Sequence, residues 1–307
     1  MNRTTNFLRV AGYVSIILFF SKNIYSEEVK KTDSAWALDA IVAASNSLKD
    51  IERVYPDGGD AVINGIVALG EAQMDALQYA EAEQKYLRAI DLHKSVFKNI
   101  SGDFRHDLGL HIKLLSALAD AQLRQNKFEK ATHNYRRGLY AAKLGISATT
   151  PAVKHLRTGR VLAIARRSTR EAGESLFEQL LTASEKASGF IHDDIATILA
   201  QWIEFRSLAG NLTDCEDMVV RLVDVLQRVH GSDHPEVAEA LNMQASIIYE
   251  KGNSRGEGRG EGKRALPLLR EAFRIRFAAF GASHPLTKRS ELNLDKLLRE
   301  LYLNRQL

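Results

Sequence analysis

The sequence predicts an all-α protein built from repeated helix-turn-helix units. Alanine and leucine are abundant, runs of β-branched residues are short, and only five prolines occur among 307 residues, which favours helix over strand. The composition is 45% apolar and 26% charged, as expected of a folded globular protein. Two further observations indicate an array of helical repeats. A short sequence motif recurs at a fixed spacing, and amphipathic stripes occur in pairs.

The clearest sign of the repeat is a short motif at the junction between units, which we call the joint. It is Gly-Ser-Asp-His-Pro at 231–235 and Gly-Ala-Ser-His-Pro at 281–285. The two joints are 50 residues apart, and the glycine-rich stretch 255–262 between them resembles an eight-residue insertion. Without it the period is 42 residues, and related joints recur at that period toward the N-terminus. The register predicts helices that begin near residues 109, 151, 193, 235 and 285. The earliest unit, with about seven extra residues before the next one, is predicted to begin near residue 61. Each of these helices but the last is followed by a partner helix.

Each unit contains two amphipathic stripes, as the unit that begins near residue 193 illustrates. Ile195, Leu199 and Trp202 recur at the spacing of one helix face. Asn211 interrupts this pattern, and a second stripe follows over residues 218–226. We therefore expect two helices joined by a short turn in each unit of an array over residues 60–307.

The N-terminal part of the chain differs from the array. A further amphipathic helix is predicted over residues 33–55. Residues 1–26 carry three basic and no acidic side chains around an apolar run from Val10 to Phe20, which is typical of a secretory signal peptide and short for a membrane span. We expect an exported protein (secreted, periplasmic or in a secretory lumen). A mitochondrial presequence or a retained membrane anchor is the alternative.

The repeats resemble a known family at particular positions. Two sets of residues fall at the spacing of tetratricopeptide repeats: Leu69, Gly70, Ala82, Tyr86 and Ala89, and Leu118, Ala119, Ala131, Tyr135 and Gly138. The longer period and the His-Pro joints are similar to those of kinesin light chains. The resemblance implies a right-handed superhelical solenoid of about five to six units with a concave groove that holds peptides or partner domains. Residues 151–190 depart from the pattern, because Glu171-Ala172 lies one residue out of phase.

The resemblance also implies a function, namely a scaffold or adaptor that binds partner proteins in its groove and is not an enzyme. Two alternatives stay open: an enzyme whose site is assembled from scattered polar residues, and a regulatory protein that senses peptides. A buried glutamate against a histidine in a pocket would favour the enzyme, whereas a long open groove would favour the binding protein. The sequence predicts no cofactor.

Some histidines and glycines are candidates for a metal site or a phosphate-binding loop. His230 and His234 are four residues apart, but Gly231 should end the helix between them, so they need not share a face or bind a metal. At the His-Pro joints, Asp233 and Ser283 are expected to accept hydrogen bonds from the next helix. The glycine-rich stretch 255–262 lacks the pattern of a phosphate-binding loop and predicts a solvated, mobile loop.

A lone cysteine and the overall charge narrow the function further. Cys215 stands where the repeat requires a small buried residue, so we expect it to pack and not to react. Without residues 1–26 the net charge falls from +4 to +1, which gives no sign of a nucleic-acid partner. A membrane contact is expected only through the N-terminal segment if it stays uncleaved.

Charge is nevertheless concentrated in one block. Residues 127–170 contain 11 basic side chains and a single acidic one, whereas residues 171–254 contain 5 basic and 15 acidic ones. The basic block is either a docking site for an acidic partner or a set of charges balanced by acidic neighbours. The predicted partner-binding residues are Lys154, Arg157 and Arg160 on a first helix, together with Asn242 at a groove position.

Overall fold

The computed structural model describes residues 27–56, 58–100, 108–147, 150–254, 256 and 258–303. Within these ranges the regular structure is helical and contains no β-strand. None of the described helices is both long and apolar enough to cross a membrane. Residues 1–26 lie outside the described ranges, so the export signal stays a prediction.

Twelve α-helices follow one another in the described part of the chain, and a π-helical turn, Arg299–Leu303, follows the last. They are α1 (Glu27–Val54), α2 (Asp60–Asp75), α3 (Tyr79–Ile100), α4 (Leu108–Arg124), α5 (Phe128–Ala142), α6 (Pro151–Ala165), α7 (Arg170–Ser188), α8 (Asp193–Leu208), α9 (Thr213–His230), α10 (Pro235–Ser254), α11 (Gly258–Phe280) and α12 (Pro285–Leu298). Helices α2, α4, α6, α8, α10 and α12 begin within one residue of the predicted positions. The 42-residue register and the all-α class are therefore confirmed.

The chain forms two compact units, one of residues 34–176 and one that contains residues 177–307. In the first unit the helices pack in chain order, with α2 on α3, α3 on α4, α4 on α5 and α5 on α6. In the second unit α8 packs on α9, α9 on α10, α10 on α11 and α11 on α12. Because each of these helices packs on the next along the chain, each unit is a stack of helical repeats.

Three positions at the spacing i, i+4 and i+7 recur in the second helix of every repeat, and nearly all of them are buried. They are Ala82, Tyr86 and Ala89 in α3; Ala131, Tyr135 and Gly138 in α5; Gly173, Phe177 and Leu180 in α7; Cys215, Val219 and Leu222 in α9; and Ala265, Leu269 and Ala272 in α11. The set in α7 starts at Gly173, so this unit is in phase after all and the departure expected at residues 171–172 is wrong. Cys215 is fully buried, as its packing role predicts.

Glycines allow the tyrosines at the second of these positions to approach the neighbouring helix. A Cβ atom at position 70 would lie 2.7 Å from Cε1 of Tyr86, and one at position 159 would lie 2.5 Å from Cζ of Tyr135. The hydroxyl group of Tyr135 also donates a hydrogen bond to Asp120 at 2.5 Å. The contact of Tyr86 with Gly70 lies within one helix pair, and its residues are those that carry the tetratricopeptide resemblance.

Histidines, and not the residues before them, cap the first helices of the second unit. The Nδ1 atoms of His192, His234 and His284 each accept a backbone N–H two residues ahead, at 3.2, 3.3 and 3.2 Å. The capping role predicted for Asp233 and Ser283 is therefore wrong. Asp233 instead forms an ion pair with Arg274.

The insertion between α10 and α11 lengthens these two helices. Helix α10 has 20 residues where α8 has 16, and α11 has 23 residues where α9 has 18. Gly262 is buried, and a Cβ atom there would lie 3.0 Å from Leu301 and 3.2 Å from Leu297. The prediction of a solvated loop over 255–262 is thus wrong for residues 258–262, which form the first turns of α11.

Candidate protein-binding surface

The basic block of residues 127–170 extends over α5 and α6 as far as Arg170, the first residue of α7. Part of its charge is balanced within the first unit. Lys127 lies 2.6 Å from Glu83, Arg167 lies 2.7 Å from Glu129, and His155 lies 2.9 Å from Asp120.

Most of the block is not balanced in this way. Seven of its cations form no ion pair with any carboxylate of the described residues: Lys130, Arg136, Arg137, Lys143, Arg157, Arg160 and Arg170. Long cationic side chains are rarely buried without a partner, and these seven are exposed or half-buried. We call these seven residues the basic surface.

The contact residues predicted on α6 lie in or beside this surface. Arg157 is exposed, and Lys154 and Arg160 are half-buried. The Nε atom of Arg160 is shielded from solvent and has no hydrogen-bond partner among the described residues.

Asn242 does not fit the predicted role at a groove. It is 1% exposed, and its side-chain amide donates to the carbonyl oxygen of Ala238 at 2.9 Å and to the hydroxyl oxygen of Ser290 at 3.5 Å. Ser290 in turn accepts a hydrogen bond from Arg276 at 2.8 Å. Asn242 therefore belongs to a buried polar cluster between α10, α11 and α12, and the prediction that it contacts a partner is corrected.

A cavity of about 410 Å³ lies in the first unit beside α4 and α5. Its lining consists of Leu108 and His111 from α4, Arg136, Arg137, Tyr140 and Ala141 from α5, and Leu144 from the turn that follows. Tyr140 is 71% exposed and Leu144 is 58% exposed. The cavity therefore combines two arginines of the basic surface with exposed apolar groups, and Lys154, Arg157 and Arg160 do not line it.

A chain of buried hydrogen bonds holds Arg137 in place. Arg137 donates to Oδ1 of Asn134 at 3.0 Å, and Nδ2 of Asn134 donates to Oε1 of Gln122 at 2.8 Å. Nε2 of Gln122 donates to Oε1 of Glu83 at 3.0 Å, and Glu83 also pairs with Lys127. Asn134, Gln122 and Glu83 are all buried, so the core of the repeat holds the guanidinium group of Arg137 in place.

The pKa of Glu83 shows the charge state of the carboxyl group at the end of these hydrogen bonds. Burial alone would raise the pKa of the carboxyl group, but hydrogen bonds from Lys127, Gln122 and Gln125 outweigh that effect and hold the pKa below its usual value. Glu83 is therefore ionised at neutral pH. Its charge is taken up by Lys127, so it does not neutralise the arginines at the cavity.

His111, which lines the cavity, packs against a second histidine. The ring of His111 stacks on that of His93, with ring centroids 5.4 Å apart, and His93 is 2% exposed. Burial, together with the nearby His93, Arg137 and Lys94, lowers the pKa of His111 to about 4. His111 is thus neutral at pH 7, and its Nδ1 atom is shielded without a hydrogen-bond partner among the described residues.

The chemistry that this lining offers is recognition of an anion. Two guanidinium groups supply donors for a carboxylate or a phosphate, and the tyrosine and leucine side chains suit an apolar neighbour of that group. The lining contains no carboxylate to act as a general base beside His111.

A histidine that faces carboxylates does occur in the second unit. Nε2 of His230 lies 2.7 Å from Asp193 and 3.4 Å from the buried Glu236, and its ring stacks on His234. Helix α9 ends at His230, as Gly231 predicts, and the two rings stack across the joint between α9 and α10. Neither cavity described for this chain, the second with a volume of only about 20 Å³, is lined by these residues. No group of His, Cys, Asp or Glu among the described residues is arranged to hold a metal ion.

Helix pairs stacked in chain order, small residues opposite tyrosines and histidine-capped His-Pro joints define a helical-repeat protein of the tetratricopeptide type. No protein-family model and no curated protein matches the chain. The solved structure of BtubC (BKLC) from P. vanneervenii is 16% identical in sequence, covers 81% of this chain and 94% of its own, and has a TM-score of 0.48.

Two further solved structures show the nearly identical TPR-like repeats of a Podosopora anserina protein described as a kinesin light chain. Each is 14% identical, covers 66% of this chain and 91% of its own, and has a TM-score of 0.46. At these identities the likeness concerns the fold alone.

The sequence patterns did not single out the two arginines that line the cavity. Arg136 and Arg137 were counted in the basic block but not chosen, because their adjacent positions do not form a helical stripe. His111 carried no signal, since its partner His93 lies on another helix. Adjacent arginines followed by a tyrosine were the one local sign of a recognition site.

Proposed function

We propose that this chain is a protein-binding scaffold and that an acidic segment of the partner docks on the basic surface of α5 and α6. The observation that carries the proposal is the group of seven cations without carboxylate partners in the described residues. Like charges held close together repel each other and raise the free energy of the folded chain. An acidic partner relieves that repulsion on binding, so the surface is suited to such a partner.

The repeat class supports the same function. Helical repeats of this type generally bind protein partners, because a stack of short units presents an extended surface. Tyrosine and arginine are the residue types that contribute most to binding energy at protein interfaces. The exposed Tyr140 stands next to Arg136 and Arg137 at the cavity, and the exposed Leu144 adds apolar area.

Balancing by acidic neighbours accounts for only part of the block. Where the structure shows such balance, it is a specific pair, as for Lys127 with Glu83 and Arg167 with Glu129. The cations of the basic surface have no equivalent pair within the described residues. This difference favours the docking interpretation over the balanced one.

The test replaces the predicted contact residues Lys154, Arg157 and Arg160 by glutamate. The partner is first identified by crosslinking in the native host, and its association rate with the purified chain is then measured at low and at physiological salt. Electrostatic steering raises association rates by about 10- to 1000-fold, so we expect the variant to associate at least about tenfold more slowly at low salt and to lose most of the salt dependence.

The matched control reverses the same amount of charge in the second unit. Lys263, Arg270 and Lys288 are exposed and form no ion pair in the described residues. Their triple replacement by glutamate should leave the association rate within about threefold of the unaltered chain if steering is local. Equal rates for both triple variants, at unchanged helical content, would show that the basic surface plays no part in docking.

A further inference from the structure

We infer that the cavity beside α4 and α5 binds a carboxylate group of the acidic partner and that His111 takes up a proton when the carboxylate is bound. The inference rests on the proposed function, because the carboxylate belongs to the partner that docks on the basic surface. It adds a defined site to that surface and makes binding there dependent on pH.

The geometry of the cavity selects the ligand. Arg136 and Arg137 both border it, and a guanidinium group matches a carboxylate with two parallel hydrogen bonds. Leu108, Tyr140 and Leu144 line the rest, so the carboxylate must be carried on or beside an apolar group. A volume of about 410 Å³ falls in the range of sites for small ligands and is enough for one acidic side chain with an apolar neighbour.

The arginines are available for this role. Arg137 makes its described side-chain hydrogen bond to the neutral Asn134, and Arg136 lies 3.5 Å from Nδ1 of His133. Neither pairs with a carboxylate of the described residues. Because the relay through Asn134 and Gln122 fixes Arg137 beforehand, little side-chain freedom remains to be lost on binding.

His111 couples the site to protons. The groups that face it are the neutral or positive side chains of His93 and Lys94 from α3 and of Arg137 from α5. No negative charge favours its protonated form, and its Nδ1 atom has no hydrogen-bond partner among the described residues. A carboxylate in the cavity supplies that negative charge and an acceptor. The protonated imidazole can then donate to it, so the pKa of His111 rises from about 4 on binding.

The linkage has a definite sign. When a ligand raises the pKa of a group, the complex holds more protons than the free protein, so affinity increases as the pH falls between the bound and the free pKa values. The increase cannot exceed about tenfold per pH unit for one proton. We expect binding at pH 5.5 to be at least about fivefold tighter than at pH 7.5. Over this range a glutamate side chain of the ligand stays largely ionised.

The probe is the blocked tripeptide acetyl-Leu-Glu-Leu-amide, compared with acetyl-Leu-Gln-Leu-amide, and binding to the full chain is followed by NMR between pH 5.5 and 7.5. We expect the glutamate peptide to bind and the glutamine peptide to bind at least about tenfold more weakly. Arg136→Gln and Arg137→Gln should each weaken binding at every pH. Lys263→Gln removes an exposed charge of the second unit that forms no ion pair among the described residues and lies outside both the cavity lining and the basic surface, and it should bind as the unaltered chain does.

His111→Gln tests the proton linkage, since glutamine keeps a hydrogen-bonding group but does not titrate. This variant should bind the peptide at pH 7.5 and lose the increase at pH 5.5. Retained pH dependence in the variant would overturn the role of His111, and equal binding of the two peptides would overturn the carboxylate site. Inorganic phosphate that displaces the peptide at equal concentration would show a general anion site instead. All these results leave the proposed function standing, because it fails separately if reversal of Lys154, Arg157 and Arg160 leaves partner association unchanged.

Discussion

A buried ion cluster in the second unit provides a severe test of how the repeats pack. Glu239 of α10 is 2% exposed and forms ion pairs with Arg276 of α11 and, at 3.3 Å, with Arg289 of α12. Arg276 also donates to Ser290 at 2.8 Å. A single carboxylate thus joins three helices, and we predict that the change Glu239→Gln destabilises the second unit strongly.

The magnitude follows from burial. Arg276 is 1% exposed and Arg289 is 5% exposed, so without the Glu239 charge both guanidinium groups stay buried with no negative partner from that site. Removing one partner of a buried ion pair costs about 3–5 kcal/mol. Whole domains are stable by only about 5–15 kcal/mol, so the substitution should remove a large share of the stability of this unit.

Urea denaturation followed by circular dichroism gives the measurement, with Asp224→Asn as the control. Asp224 pairs with Arg228 at 2.9 Å, but the two side chains are 52% and 58% exposed. Such an exposed pair contributes about 0.3–0.5 kcal/mol. A free energy of unfolding for Glu239→Gln within about 1 kcal/mol of that for Asp224→Asn would refute the reasoning, because it would mean that the cluster is solvated or rearranges freely.

Two further predictions concern the joints of the second unit. His284 must be unprotonated at Nδ1 to cap α12, and burial, followed by the charge of Arg276, lowers its pKa below 6.5. Stability should therefore be lost as the pH falls below about 6.5. His284→Asn, a cap that does not titrate, should reduce the fall in the urea midpoint between pH 7.5 and pH 5.5. An equal fall in the variant and the unaltered chain would contradict the capping role. Deleting residues 255–262 should lower the stability of the unit by about 2 kcal/mol, because it removes the contact of Gly262 with Leu297 and Leu301. A thermal scan with an unchanged melting temperature would instead support the solvated-loop interpretation.

The helix register could be predicted because its signals are local. A proline at the first position of a helix and a preceding polar residue mark a helix start within a few residues of sequence. The 42-residue spacing then predicts the starts of α4 and α8, which have no proline at the start, whereas the start of α2 lies outside that spacing. Even so, the histidine caps were missed, since Asp and Ser rank higher as caps in general. At His284 the ring stacks on Phe280, with centroids 4.3 Å apart, and this contact helps to orient Nδ1 toward the helix.

The roles of single polar side chains depended on distant residues and were harder to predict. Asn242 was expected at a groove from its position on a first helix, but its amide donates to Ser290 of α12, which in turn accepts from Arg276 of α11. The glycines of residues 255–262 indicated a solvated loop. Gly262 instead lies in α11, where a side chain would crowd Leu297 and Leu301. In both cases the deciding contact comes from a part of the chain about 35 or more residues away, which a local pattern does not report.

The same limit explains why the charge block was found and the cavity was not. A search for helical periodicity selects residues that share one face of one helix, and it led to Lys154, Arg157 and Arg160 on α6. A cavity beside two packed helices draws on both of them, here His111 from α4 and the adjacent pair Arg136 and Arg137 from α5. Because the first and second helices of a repeat pack on each other, a binding site of this kind combines residues from both helices. The pattern that predicts a binding site is then a charged residue on the second helix of a repeat that faces an apolar or neutral residue on the first helix.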